Sequence, residues 1–175
     1  MTADAGNSPL RCSRRALLKR VPAGMLLGLT SVLLWIKLGP SGAFFRAAVV
    51  LILLLAAAVS DLTKREVPDI LSAALVFLGF FSWGLNGNWS VPVLGALTCG
   101  GPLLALKLVY PSKIGGGDVK LTLGAGSLTG PVVGAAALGV ASVSGLVFAL
   151  CFRQKQVPFA PFLFTGAAVA FLLLA

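Results

Sequence analysis

Five acidic side chains occur in the 175 residues, and two of them stand where an acid is hard to keep. Asp118 closes the run Ile114-Gly115-Gly116-Gly117-Asp118 and is followed by Val119-Lys120-Leu121, with apolar stretches before and after. Asp61 opens Asp61-Leu-Thr-Lys-Arg-Glu-Val-Pro-Asp69, directly after another apolar stretch. A charge within a membrane helix costs ~2.5–3.5 kcal/mol on insertion scales, so an acid retained there is read as functional. Two carboxyls a few ångströms apart cannot both ionise easily, so they share a proton. One then acts as base on a water while the other, protonated, polarises a carbonyl, and the pair titrates as a unit.

That chemistry needs neither histidine nor metal. The chain has no histidine, which removes His-based triads, His-ligated metals and an imidazole base together. Cys12, Cys99 and Cys151 are isolated, with no Cys-x-x-Cys, so neither a zinc site nor a disulfide framework is indicated. Cys99 and Cys151 are expected to pack as small apolar side chains. No metal and no cofactor is expected. The glycines before Asp118 permit the close backbone approach that a cleaved extended peptide requires. Plainer roles exist for each residue. Asp61 suits an interfacial acid beside Lys64 and Arg65, Gly115 to Gly117 suit a flexible loop, and Asp118 suits the N-terminus of its helix.

The elements that must position these acids are membrane helices. Hydrophobic residues make up 58% of the chain and charged residues 11%, and the mean hydropathy is +0.99. Soluble domains run about 45–50% apolar and about 25% charged, so the bilayer is the organising solvent here. Apolar segments fall at 21–38, 44–60, 69–85, 91–109, 118–128, 132–152 and 158–175, separated by turn or charged residues. The fifth is short, about 16 Å of a ~30 Å hydrocarbon core. Pro68 suits a helix start. Trp83 and Trp89 flank the Asn86-Gly87-Asn88 turn, as interfacial aromatics do. The expected fold is therefore an all-α, polytopic membrane helix bundle. It divides into a basic tail (1–20), a first helix and turn (21–43) and a membrane domain of six further segments (44–175).

Charge gives the orientation. With the N-terminus inside, all of the fourteen Lys and Arg residues except Lys37 and Arg46 lie on or at the inner edge. Those two flank the first outer turn and can snorkel to it. The expectation is a cytosolic N-terminus and an outer C-terminus, in a multi-pass protein of the inner (plasma) membrane. The net charge of +9 follows from this distribution, and no nucleic-acid partner is expected. Ser13-Arg14-Arg15-Ala16-Leu17-Leu18-Lys19 resembles a twin-arginine export signal, but a basic flank that orients the next helix is favoured. Two crossings separate Asp61 from Asp118, and an even number returns the chain to the same side. Both acids are therefore expected at the cytosolic edge, at similar depth.

Asp61-x6-Pro68-Asp69, then Gly115-Gly116-Gly117-Asp118 with Val119-Lys120-Leu121, and Val157-Pro158-Phe159-Ala160-Pro161-Phe162 near the end, resemble in that order the motifs of the type IV prepilin peptidases. These are aspartic membrane proteases of the GxGD class, and the resemblance covers about residues 45–175. It implies that Asp61 and Asp118 are the catalytic pair. It also implies prepilin or pseudopilin precursors as protein substrates, losing a basic leader, typically after a glycine, at the cytosolic face. The larger members carry an N-terminal methyltransferase region with paired Cys-x-x-Cys motifs. No such motif occurs here, so methyltransferase activity is not expected and the chain looks more like the short members serving tight-adherence (Flp-type) pili. Relative to those short forms the 21–38 helix is extra and is expected to pack against the core.

Supporting roles follow from the same picture. Gly115, Gly116 and Gly117 would admit the substrate backbone. Glu66 and Asp69 would attract the basic leader, or else pair with Lys64 or Arg65 and cap the third segment. Lys120 would steady an ionised aspartate or snorkel. The rival function is a small transporter or channel subunit using Asp61 and Asp118 as ion or proton sites. It calls for acids near the bilayer midplane and internal repeats, and the sequence has edge acids and no repeat.

Overall fold

The computed structural model describes residues 36, 39, 41–64, 68–111, 114–152 and 159–174. Six helices form the described bundle: α1 (Gly42–Lys64), α2 (Asp69–Gly84), α3 (Ser90–Val109), α4 (Gly116–Thr129), α5 (Pro131–Phe152) and α6 (Ala160–Leu174). No strand occurs among the described residues. The spans Gly42–Thr63, Ser90–Val109 and Pro131–Cys151 are long and apolar enough to cross a membrane, while α2 and α6 are shorter apolar helices. The all-α membrane bundle expected from composition is thus what the chain forms. The basic tail, nearly all of the extra 21–38 segment, and the loop holding Val157 and Pro158 lie outside the described residues.

Two helix boundaries differ from expectation near the acids. α1 runs through Lys64, a full turn beyond the expected end at residue 60. No Gly or Pro stops it, and Thr63 Oγ1 donates back to the Val59 carbonyl at 2.8 Å, occupying an end-of-helix acceptor. Asp61 therefore belongs to the last turn of a helix and not to a loop. α4 starts at Gly116, taking two of the three glycines and Asp118 into its first turn. It ends at Gly130, whose φ of 83° is a left-handed conformation open to glycine without steric cost.

α4 is the centre of the bundle. Its 14 residues span ~21 Å, less than a bilayer core, yet it packs against each of the other five helices. In lipid, burial of apolar surface does little to bring helices together, and close approach of small residues does more. α4 supplies them. A Cβ at Gly126 would overlap the Gly95 carbonyl of α3, and one at Gly124 would stand 2.9 Å from the Ser72 carbonyl of α2. Gly166 of α6 meets the Ala137 carbonyl of α5 in the same way. Large side chains such as Phe77, Leu97, Val143 and Leu150 point outward, where a bilayer accepts them.

Three smaller expectations are refined. Arg46 reaches back beside Gly42 in the first turn, and its guanidinium also lies 4.4 Å from the centroid of the Trp83 ring, a cation–π contact tying α1 to α2. Trp83 itself donates through Nε1 to the Leu128 carbonyl of α4 at 3.3 Å, so it is a packing residue as much as an interfacial one. Cys99 is buried as expected, but Cys151 is exposed, because nothing described covers that end of α5.

Candidate active site

The buried stripe of α1 positions Asp61. Ala47, Val50, Leu51, Leu54, Ala57 and Ala58 face the core, and Asp61 takes the next place, four residues past Ala57 and seven past Leu54. It is 8% exposed, buried in line with the apolar residues before it. Its Oδ2 accepts the backbone N–H of Ala160 at 3.3 Å, the first residue of α6.

Asp118 reaches the same place from α4. It is half-buried in the first turn, and the capping position itself is held by Gly115. α1 and α4 pack against each other, and the charge of Asp61 is felt at Asp118. The last turn of α1 thus meets the first turn of α6 at Asp61, and both helices pack against α4, which carries Asp118. One turn along α4, the fully buried Thr122 turns its hydroxyl back onto the Asp118 carbonyl at 2.9 Å, so it stabilises the turn and leaves the carboxylate free.

The glycine run works through space as much as through flexibility. A Cβ at Gly115 would lie 3.2 Å from Asp118 Oδ2, and one at Gly116 would lie 2.8 Å from Lys107 Nζ. Gly117 is half-buried in the first turn of α4. Lys107, in the last turn of α3, therefore holds its ammonium over the start of α4. Sequence reasoning counted Lys107 only as an inner-edge charge. Its signal was its place in the final turn of the helix that leads into the glycines.

Other candidates separate from the pair. Lys120 neither steadies the dyad nor snorkels: its Nζ pairs with Asp69 Oδ2 at 2.8 Å. On a helix Lys120 stands about 200° around from Asp118, on the opposite face. Asp69 follows Pro68, which holds the N-cap position without a side-chain bond, so Asp69 is a partner and not a cap. Both side chains are more than half exposed, at 56% and 72%. A double-mutant cycle on Lys120→Ala and Asp69→Ala, read by thermal unfolding in detergent, should give a coupling below about 1 kcal/mol. A groove of about 600 Å³ lies beside this ion pair, lined by Ser72, Val76, Phe77 and Leu123 among others. Because Lys120 lines it, the groove lies across α4 from the carboxyl pair and is not the cleft of the dyad. Glu66 lies outside the described residues. No group of three or more His, Cys, Asp or Glu gathers to hold a metal among the described residues.

Asp61 and Asp118 thus come from separate helices and stand in their terminal turns. The match to known families bears on the same residues. The family model of the type IV leader peptidase family aligns with residues 48–150, more than half of the chain, and that stretch holds Asp61, the glycine run and Asp118. No curated protein and no solved structure matches the chain. The family match covers the segments that carry both acids, and on it this chain belongs to the type IV leader peptidase family.

Proposed function

We propose that the protein is a membrane aspartic endopeptidase that removes the basic leader from type IV prepilin-like precursors, Flp-type pilins or pseudopilins, at the cytosolic face of the inner membrane. What supports this reading is that Asp61 stands in the last turn of α1 and Asp118 in the first turn of α4, two helices that pack together, in a chain of the leader peptidase family. The carboxylate of the pair takes a proton from water as the hydroxyl adds to the scissile carbonyl carbon. The protonated partner gives its proton to the carbonyl oxygen. Collapse of the resulting diol breaks the C–N bond, with the amine taking a proton from the first acid and the second recovering one from the diol. The short α4 supports access of water to the pair, since the helix does not extend through a full hydrocarbon core. Co-expression with a Flp-type prepilin tests the reading. A shorter pilin, with a new N-terminus after the leader, is expected on a gel, and an intact precursor under conditions where a known peptidase cleaves it would overturn the assignment.

The orientation has its own test. The proposed topology sets the end of α5 at the cytosolic face, and Cys151 is exposed there. In Cys12→Ser protein, a membrane-impermeant maleimide is expected to label Cys151 in inside-out vesicles and not in intact spheroplasts, with the buried Cys99 silent in both. The reverse pattern would invert the topology.

A further inference from the structure

The contact between Asp61 and the start of α6 assigns unequal roles within the pair. The first backbone N–H groups of any helix lack partners inside it, and that of Ala160 has nothing in α6 to bond. Pro161, next in the chain, has no N–H to offer. Ala160 N–H instead donates to Asp61 Oδ2 at 3.3 Å. A backbone amide can only donate, so it bonds a carboxylate better than a carboxylic acid. Asp118 carries no such donor among the described residues.

Among the other charged groups near the pair, Lys107 of α3 holds its ammonium over Gly116 at the start of α4. α4 carries Asp118, where the charge of Asp61 is felt. From α2 the only charged residue is Asp69, which is engaged by Lys120 on the far face of α4. α6 contains no charged residue at all, and on α1 Lys64 follows three residues on.

We propose that the Ala160 amide is the positioning group of the site: it holds Asp61 as the water-activating base and leaves the shared proton on Asp118. This deepens the aspartic reading above and rests on it. Asp61 then takes the proton from water, and Asp118 delivers its proton to the carbonyl oxygen. The residue that decides which acid does which is a backbone group, invisible to any survey of side chains.

The test removes one N–H. Replacing the Ala160 amide by an ester, with lactic acid at that position, deletes the donor at nearly constant shape. Ala160→Pro deletes it with ordinary mutagenesis at a position where helices accept proline. Ala160→Gly keeps the donor and serves as the conservative variant. Leader cleavage by the ester or proline protein is expected to lose about tenfold or more in kcat with KM within about twofold, and Ala160→Gly to lose far less. Equal losses in the proline and glycine variants, with an ester at wild-type kcat, would overturn the proposal. Infrared spectroscopy on the purified full chain decides it without substrate. The carboxylate stretch of the pair is expected to move in the ester protein. An unmoved band in the ester would remove the assigned roles. A wild type that cleaves no prepilin would fail the proposed function alone, and the infrared result would still judge the carboxyl assignment.

Discussion

Asp61→Asn and Asp118→Asn are each expected to reduce leader removal by about 10²–10⁴-fold, the usual worth of a positioned acid or base. The two losses should not add, because two groups that pass one proton act as a unit, and either single change should cost nearly as much as the double. Asparagine keeps the shape of aspartate and the carbonyl oxygen that accepts a hydrogen bond. In the Asp61→Asn protein the side-chain carbonyl can therefore still receive the Ala160 N–H that Asp61 receives at 3.3 Å, and α6 stays docked. A loss of turnover in protein that melts like wild type is then a loss of chemistry. The measurement is single-turnover cleavage of a purified prepilin in detergent. Activity within tenfold of wild type in either variant would show that one acid suffices and end the paired mechanism.

Asp61 and Asp118 stand out in the sequence because an ionisable residue among apolar ones is expensive, and because counting crossings predicts both on one side. Their helical setting was less so. Asp61 reads as a loop residue when the charged run after it is taken as the boundary, although its spacing of four from Ala57 and seven from Leu54 already marks it as the next residue of a buried stripe. The pairing of Lys120 with Asp69 joins residues 51 apart and rests on the packing of α2 against α4, which no local pattern announces. The Ala160 contact is harder still: it is made by a backbone amide, so residue type carries almost no sign of it. What the sequence offers there is Pro161, marking a helix start whose free N–H groups must point at something. The centrality of α4 was hidden for a related reason. A short, glycine-rich segment looks like the weakest helix in the chain by propensity, and only the close approach of its neighbours explains why it sits in the middle.

That close approach makes Gly95 and Gly126 the positions least able to change. Each would drive a Cβ into the carbonyl oxygen of the other, and Gly126 is also hemmed in by the Cβ of Cys99 at 2.5 Å. Where the obstacle is a flexible side chain, a rotamer change relieves it. Here it is helix backbone on both sides, so relief requires α3 and α4 to move apart. Overpacking of this kind costs about 1–3 kcal/mol, occasionally more, and the expected place for Gly126→Ala and Gly95→Ala is the upper end of that range. Controls are built into the same bundle. Gly101 and Gly139 lie in helices with open space where a methyl group would go, so alanine there should be neutral or stabilising by up to about 1 kcal/mol. Thermal unfolding in detergent, followed on the four alanine variants side by side, separates the pairs. Gly126→Ala should also lower cleavage by the folded fraction, because the α3–α4 seam holds Lys107 over Gly116 and sets where Asp118 begins its helix. If Gly126→Ala melted with Gly101→Ala, the two backbones would have to be further apart than this packing requires, and the seam would lose its role in placing Asp118.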